Sequence, residues 1–466
     1  MKKILRIIPL VISFIVFAVT IFFISDLNVL PNKYLYTFII SDFILLGLTA
    51  FIYYQKKKVF QIIGIVLIII FLIGNIFLSY YLYHTNKYMN DNFSIPSHKE
   101  RISYLVVTSN NNPVNGLEEV ENQEVYYYKY SRATSLAMKK LGNYNYSSLD
   151  KGFESLRQIR DENKYFLIAK LDYDFILSTT DELNDDQFKK INEFDVLEET
   201  KINEEIKDSY NIFVGGMDYS RYRRDYNAII TVNTKTHKIL ITSLSRDLYL
   251  YVPAYDAKDS LTSLGSADPN NTIEALENLF NIKIDYSVNL YTESLVNVVD
   301  SLGGIDFCTD FSFYTTHDTT LGSYNDWGER VFVEKGCHTY NGLEALAIAR
   351  ERVRLVGTGV SREDNCRQIL INIGKKIAST VNLSNYTEIL DSFNGVYTSN
   401  INKKAITNLI KSGIDNMNYE ILEQSIKGWD HIASSRGGTG EVYAIVPYDD
   451  SVSEISQKIN EIINEK

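Results

Sequence analysis

Four arginines, Arg350, Arg352, Arg354 and Arg362, fall within thirteen residues of a chain whose net charge is −11. A guanidinium is always charged and presents a flat fork of donors that fits phosphate oxygens two at a time. Concentrating them in an acidic chain points to a multiply charged anion, with pyrophosphate the simplest candidate. Arg350 falls in the last turn of a helical pattern over Asn341 to Glu351. The spacing of two between Arg350, Arg352 and Arg354 would put all three on one face of an extended segment. Gly357 and Gly359 follow, giving a loop whose backbone can approach a ligand closely. Ser361-Arg362-Glu363-Asp364 then reads as a capping box, placing Arg362 at the positive end of a helix, itself an anion site.

Two other stretches carry compatible chemistry. Asp218-Tyr-Ser-Arg221-Tyr-Arg223-Arg224-Asp225 sets two carboxylates in one loop at a strand end. That pair suits a hard cation such as Mg²⁺, which takes one or two carboxylates plus substrate phosphate oxygens; a solvated charged loop is the plainer alternative. Ser243-Leu-Ser-Arg246-Asp247 closes a second strand, where an arginine can point into the crevice in which α/β sheets bind ligands. A surface Arg–Asp pair is the alternative there. The cysteine and histidine spacing fits no zinc pattern.

The elements that position these residues alternate between strand and helix. A strand over Tyr210 to Gly215 precedes a hairpin of Asn227 to Val232 and Lys238 to Leu244. Helical patterns run over Thr272 to Asn281, Glu293 to Leu302, Asn341 to Glu351 and Ser361 to Thr380. Upstream, strands over Ile102 to Thr108, Glu124 to Tyr130 and Tyr165 to Ala169 flank helical patterns over Ser131 to Leu141 and Ser147 to Arg160. These make a smaller α/β unit that ends in an acidic, unpatterned stretch from Asp181 to Lys207. Expected boundaries are therefore an anchor over 1–84, a polar linker over 85–100, a small α/β accessory domain over 101–207 and a catalytic domain over 208–466.

The anchor rests on three apolar runs, Ile7 to Ile24, Tyr34 to Tyr54 and Phe60 to Tyr83. Each reaches the roughly 17–25 residues needed to span a bilayer as a helix. Lys2, Lys3 and Arg6 precede the first, and Lys56, Lys57 and Lys58 separate the second and third. The positive-inside bias then predicts a multi-pass protein of the cell membrane, with a cytoplasmic N-terminus and a large extracellular C-terminal portion. Asp42 and Asn75 lie inside spans, where polar side chains usually face a neighbouring helix or serve function. A pI near 5.2 argues against a nucleic-acid partner. Of the three cysteines, Cys308 and Cys337 are the pair to expect if one disulfide forms, with three free thiols the alternative.

Taken together, these motifs resemble the LytR–CpsA–Psr family of envelope phosphotransferases. The likeness rests on Phe213-Val-Gly-Gly-Met-Asp218, Arg223-Arg-Asp225-Tyr-Asn227, Leu244-Ser-Arg246-Asp247-Leu-Tyr249, Leu302-Gly-Gly-Ile305, Gly336 to Arg352, and Arg362-Glu-Asp-Asn365-Cys366. The anchor and the accessory unit are similar to those of the family's capsule-type members. The resemblance implies an α/β/α core and a transferase that joins a polyprenyl-pyrophosphate-linked glycopolymer, capsular polysaccharide or teichoic acid, to peptidoglycan. It implies that Asp218 and Asp225 hold Mg²⁺, and that Arg223, Arg246, Arg350, Arg352 and Arg362 grip the pyrophosphate. Arg246, Asp247 and Arg362 would be the catalytic set, with Asp247 expected to orient Arg246 rather than to act as a base. The expected partners are the lipid-linked polymer, the peptidoglycan acceptor, the membrane and polymer-assembly proteins. A pyrophosphatase and a non-catalytic module that binds lipid-linked polymer are the rival readings.

Three positions depart from the family pattern. Gly359 stands where an acidic residue is usual, Cys366 where a glutamine is usual, and Arg224 replaces a serine. Gly359 is expected to remove a partner that would orient Arg362 or help the acceptor, Cys366 to exchange a polar ligand-facing group for a soft thiol, and Arg224 to add charge beside the metal.

Overall fold

The computed structural model of the chain describes all residues except 1, 94–96, 121–122, 179, 202–206, 219–222, 265–268, 319–329, 381–385, 394, 396, 416–418 and 435–440. Arg221 therefore lies outside the described residues. The chain opens with three helices, α1 (Lys2–Leu27), α2 (Asn32–Tyr53) and α3 (Lys58–Phe93), each long and apolar enough to cross a membrane. Several of their polar side chains turn toward one another: Thr20 Oγ1 lies 2.8 Å from Ser79 Oγ, Asn86 Nδ2 donates to Phe23 O at 2.9 Å, and Asp42 meets Asn75. Such contacts hold apolar helices together where no hydrophobic drive exists between them.

The next unit comprises β1 (Ser97–Ser109), β2 (Glu124–Tyr128), α4 (Thr134–Leu141), β3 (Asn145–Leu149), α5 (Gly152–Glu162), β4 (Tyr165–Ala169), α6 (Lys170–Ser178) and β5 (Phe188–Lys201). Its sheet runs in the order β3-β2-β4-β1-β5. Two sequence expectations fail here for physical reasons. Residues 85–93 continue α3 instead of forming a linker, because Met89 and Phe93 are buried with Tyr210, Val214 and Tyr286 of the larger unit and tertiary burial carries the helix past its apolar run. The acidic stretch from Asp181 is not a featureless boundary either. Most of it is β5, paired along its whole length with β1 as an edge strand, where charged side chains are the normal guard against further pairing. Ser147 and its neighbours, read as helical, form β3, and α5 begins only at Gly152.

The larger unit follows as β6 (Ser209–Met217), β7 (Arg224–Asn233), β8 (Lys238–Leu244), β9 (Tyr249–Val252), β10 (Ala257–Ser260), α7 (Pro269–Phe280), β11 (Tyr286–Leu290) and α8 (Thr292–Ser301). It continues through β12 (Ile305–Thr309), β13 (Phe313–Asp318), β14 (Arg330–Val333), β15 (Gly336–Tyr340), α9 (Gly342–Arg350), α10 (Arg362–Thr380) and α11 (Tyr386–Ser392). It closes with β16 (Tyr397–Ser399), α12 (Lys403–Asp415), β17 (Glu420–Ser425), β18 (Gly428–Ser434), β19 (Glu441–Pro447) and α13 (Asp449–Asn464). The main sheet has the order β16-β11-β6-β7-β8-β17. Strand periodicity sorts its side chains into two layers. Ile212, Val214, Ile230, Val232 and Ile239 join one cluster with α12 and the end of α3, while Phe213, Ile229 and Leu240 join another with α7 and α13. The result is the expected α/β/α core.

The cluster under the second face does not stop at the unit boundary. It includes Leu105, Val107, Phe166, Ile168 and Phe175 from the smaller unit, and the rings of Tyr130 and Tyr255 meet at 4.3 Å. The opposite face of the small sheet, with Tyr104, Val106 and Leu167, has a separate cluster of its own. Cys308 and Cys337, facing each other on β12 and β15, form a disulfide, and Cys366 is a free thiol.

Gly342 shows how tightly α9 is laid on α8. A Cβ added there would lie 2.4 Å from Val296 O and 2.7 Å from its Cα, backbone atoms that cannot swing aside. Gly342→Ala is expected to cost about 1–3 kcal/mol through this overpacking. A thermal scan of the detergent-solubilised chain would register it as a lower Tm.

Candidate functional site

A cavity of ≈ 320 Å³ opens where β6, β7, β8, α8, α9 and α10 converge. The polar part of its wall carries Asp218, Arg223, Asp225, Arg246, Arg350 and Arg362. Six of the eight residues singled out in the sequence are thus brought together. Asp247 and Arg352 do not line the cavity; Asp247 feels the charges of the lining Arg246 and Arg362, and Arg352 acts on Asp247. The remainder of the wall is apolar, with Leu290, Leu295, Val298, Ile369, Leu370, Ile373 and Phe393.

The local geometry explains the positions. Arg224 pairs with Met217 and Tyr226 with Gly216, so Asp225 is the extra residue of a β-bulge. A bulge re-aims side chains, and here it sends Asp225 to the cavity and Arg224 the other way. Arg224 therefore adds no charge beside Asp218 and Asp225, contrary to expectation. Its guanidinium is buried over the Phe213 ring and donates to Leu264 O at 3.1 Å and Thr272 Oγ1 at 2.8 Å, and burial pulls its pKa down to about 10. Gly215 makes room for it, since a Cβ there would lie 3.0 Å from Arg224 Cδ.

Arg350 is the last residue of α9, but Arg352 and Arg354 do not continue as an extended segment. Val353–Leu355 is a 3₁₀ turn wound around the buried Glu351, whose Oε1 accepts from the backbone N of Arg352 at 3.0 Å and of Arg354 at 2.9 Å. Glu351 also accepts from Thr316 Oγ1 at 3.0 Å. Its importance was missed in the sequence, where a glutamate between two arginines reads as a charge partner rather than as a backbone acceptor. Gly357 and Gly359, at φ +80° and +76°, serve the exposed turn that follows and do not reach the cavity.

The capping box at the start of α10 is present: Ser361 N donates to Asp364 Oδ2 at 2.9 Å and Asp364 N to Ser361 Oγ at 3.1 Å. From Arg362 onward, Cys366, Ile369, Leu370 and Ile373 follow at helical spacing on one face, so this face of α10 runs from charge to hydrocarbon. Asn365 Nδ2 donates to Ile348 O and the Cys366 thiol to Ala349 O, both at 3.3 Å. The final carbonyls of α9 have no partner within their own helix, and α10 supplies one. Cys366 thus fixes Arg350 relative to Arg362. Burial pushes its thiol up to about 12, so it stays protonated on the cavity wall.

Asp225 is the hub of the charges. Arg246 Nη1 donates to its Oδ1 at 2.6 Å, and Arg362 Nη1 stands 3.5 Å from the same oxygen. Burial raises the Asp225 carboxyl, but the fields of Arg362, Arg246 and Arg350 outweigh it and hold the group below the ordinary value. Asp247 Oδ1 lies 3.4 Å from Arg246 Nε, and burial moves its carboxyl upward against the opposing pull of Arg246 and Arg362. Glu363 Oε1, 3.3 Å from Arg362 Nη2, supplies the orienting acid that Gly359 cannot. Arg362 Nε remains buried with no hydrogen-bond partner among the described residues. An unmet charged donor of this kind is costly unless a ligand oxygen meets it. Arg223 lies over the Phe175 ring at 5.6 Å, so the smaller unit reaches the rim of the cavity.

Asp218 and Asp225 supply two carboxylates to one cavity, and no third carboxylate, histidine or cysteine groups with them among the described residues. A cation held there would take its other ligands from phosphate and water, the arrangement Mg²⁺ favours. The donor set fits that ion.

A model of the LytR_cpsA_psr family matches residues 175–459, more than half of the chain. The polyisoprenyl-teichoic acid–peptidoglycan teichoic acid transferase TagU of Bacillus subtilis is 28% identical over 265 residues, covering 55% of this chain and 78% of its own length. Biofilm regulatory protein A of Streptococcus mutans is 30% identical over 186 residues, 38% of this chain and 44% of its own. The crystal structure of B. subtilis TagV superposes with a TM-score of 0.46 at 23% identity, covering 56% of this chain and all of that one.

The depressed Asp225 carboxyl makes a signed prediction. Its ionised form contributes stability in full above its ordinary value of 3.8, and that contribution is lost as pH falls through the lower folded value. The Tm advantage of the wild type over Asp225→Asn should stay level from neutral pH to about pH 5 and shrink only as pH falls below the ordinary carboxylate value of 3.8. A gap that closes above pH 5 would contradict the assignment.

Proposed function

This chain belongs to the LytR_cpsA_psr family, and from that membership we propose that it is a membrane-anchored transferase acting on a lipid-linked glycopolymer. The donor is a capsular polysaccharide or teichoic acid on a polyprenyl pyrophosphate, and the acceptor is a sugar hydroxyl of peptidoglycan. The observation that carries this reading is the polarity of one cavity: arginines and two carboxylates on one part of the wall, hydrocarbon side chains on the rest. Only a ligand that is both polyanionic and long-chain apolar uses both. Lys2 and Lys3 at the start of α1, and Lys56, Lys57 and Lys58 at the α2–α3 turn, support a cytoplasmic N-terminus and a cavity on the outer side, where such a donor meets the wall.

In the reaction, an acceptor hydroxyl oxygen bonds to the phosphorus that carries the glycan. The bond from that phosphorus to the bridging oxygen breaks, the hydroxyl proton leaves to solvent, and polyprenyl phosphate departs. Negative charge grows on the departing phosphate, and positioned guanidinium groups stabilise it without a covalent enzyme intermediate. Arg362 and Arg246 are the groups best placed for this, with Arg223 and Arg350 holding the remaining phosphate oxygens. Asp247, outside the cavity wall and against Arg246 Nε, orients that arginine. Arg352 contributes through its field. Mg²⁺ bound by Asp218 and Asp225 would neutralise phosphate charge and polarise the phosphorus.

The test uses the full chain in lipid vesicles with a polyprenyl-pyrophosphate-linked glycan and a peptidoglycan oligomer. Glycan should become linked to the oligomer, and Arg362→Ala should lower kcat by about 10²–10³-fold, the size of losing one preorganised donor. Chelation of divalent metal should suppress the reaction and added Mg²⁺ restore it. Free glycan phosphate without linkage would identify a pyrophosphatase instead, and tight binding without turnover a non-catalytic module.

A further inference from the structure

The hydrocarbon part of the cavity ends against the membrane anchor. Tyr397, on edge strand β16, lines the cavity beside Leu290 and Phe393. The other side of the same residue belongs to α3: its ring stacks on Phe93 at 6.1 Å and 19°, and its hydroxyl lies 3.2 Å from that of Tyr88. Phe93 and Met89 are buried with Tyr210, Val214 and Tyr286 of the main sheet, and Leu27 at the end of α1 joins them. Polar contacts pin the same junction, with Lys403 Nζ donating to Asn90 Oδ1 at 2.8 Å and Lys411 Nζ to Asn28 Oδ1 at 3.2 Å. At a rise of about 1.5 Å per residue, the 36 residues of α3 extend well beyond the roughly 30 Å of bilayer hydrocarbon. The turns carrying Tyr88 and Phe93 are therefore outside it, bridging bilayer and cavity.

We infer that Tyr88, Phe93 and Tyr397 form the membrane-side portal of the cavity, along which the polyprenyl chain of the donor passes from the bilayer beside α3. The inference rests on the reading of the cavity as the site of a lipid-linked donor. A polyprenyl chain crossing from bilayer to cavity through water would expose its whole apolar surface. A path along the anchor helix keeps that surface covered, and Tyr397 touches both the cavity and α3. The portal makes three residues of this chain determinants of donor chain length, because a short donor fills the polar end without reaching them.

The experiment compares a long, bilayer-embedded polyprenyl donor with a short, water-soluble one, using the full chain in phosphatidylglycerol-containing vesicles. Phe93→Ala should lower the long-to-short ratio of kcat/KM by about tenfold, the effect of one lost aromatic contact of ordinary size. Phe93→Tyr, which keeps the stacked ring, should restore the ratio. Equal losses for both donors would mark Phe93 as merely structural and overturn the portal. A second measurement needs no turnover. A polyprenyl pyrophosphate carrying a diazirine in the distal half of its chain should label Tyr88 or Phe93 in the wild type, in competition with unlabelled lipid. Labelling confined to α8 and α10 would overturn the portal. Labelling of α3 in a protein that transfers neither donor would uphold the portal and sink the transferase reading alone.

Discussion

Positive charges crowded into one cavity repel each other, and the carboxylate of Asp225 is what holds them at working distance. It binds Arg246 directly and sits within 3.5 Å of Arg362, so it screens the pair that the proposed chemistry needs most. Its position depends on a single extra residue in β7. Without the bulge, strand alternation would bury Asp225 with Ile229 and bring Arg224 to the cavity, reversing the sign of the group at its centre. Asp247 and Glu363 then steady the two arginines from behind. The site is thus an arrangement of compensated charges in which Arg246 and Arg362 share Asp225 and each has a second acid beside it.

Helix α10 converts that arrangement into a site for a two-part molecule. Its first residue is an arginine held by a capping box, and the same face becomes aliphatic within three turns. The side chains of Asn365 and Cys366 tie it to the end of α9. Its far side leans on β12, where Gln368 brackets the backbone of Cys308 at 2.7 and 3.1 Å. The disulfide between β12 and β15 stiffens the strand on which that bracket rests.

Much of this was legible in the sequence. The strand ends carrying Asp218 and Arg246 were readable because glycine and polar residues interrupt apolar runs, and the start of α10 because Ser361 and Asp364 stand at capping distance. What sequence periodicity could not show was the bulge at Asp225. A one-residue shift leaves no mark in composition, yet it decides which face a charge occupies. The turn around Glu351 was hidden for a related reason, since alternating arginines satisfy a strand pattern until a buried carboxylate captures their backbone. The length of α3 and the run of β5 were misjudged because both are stabilised by partners distant in sequence. Local polarity argued against regular structure where tertiary burial or ladder pairing supplied it.

The shared core beneath the main sheet bears on how such a chain can change over time. Leu105, Val107 and Phe175 from the smaller unit lie in one continuous cluster with Phe213, Ile229 and Leu240 from the larger. Neither unit is a detachable module. Exchange of the smaller one between relatives by recombination would leave mismatched apolar faces, and so would its loss. The two must drift together, with substitutions on one side of the seam answered on the other. Diversity in this part of the chain should accordingly gather on the exposed side of β5 and in the loops, while the seam changes slowly and in matched pairs.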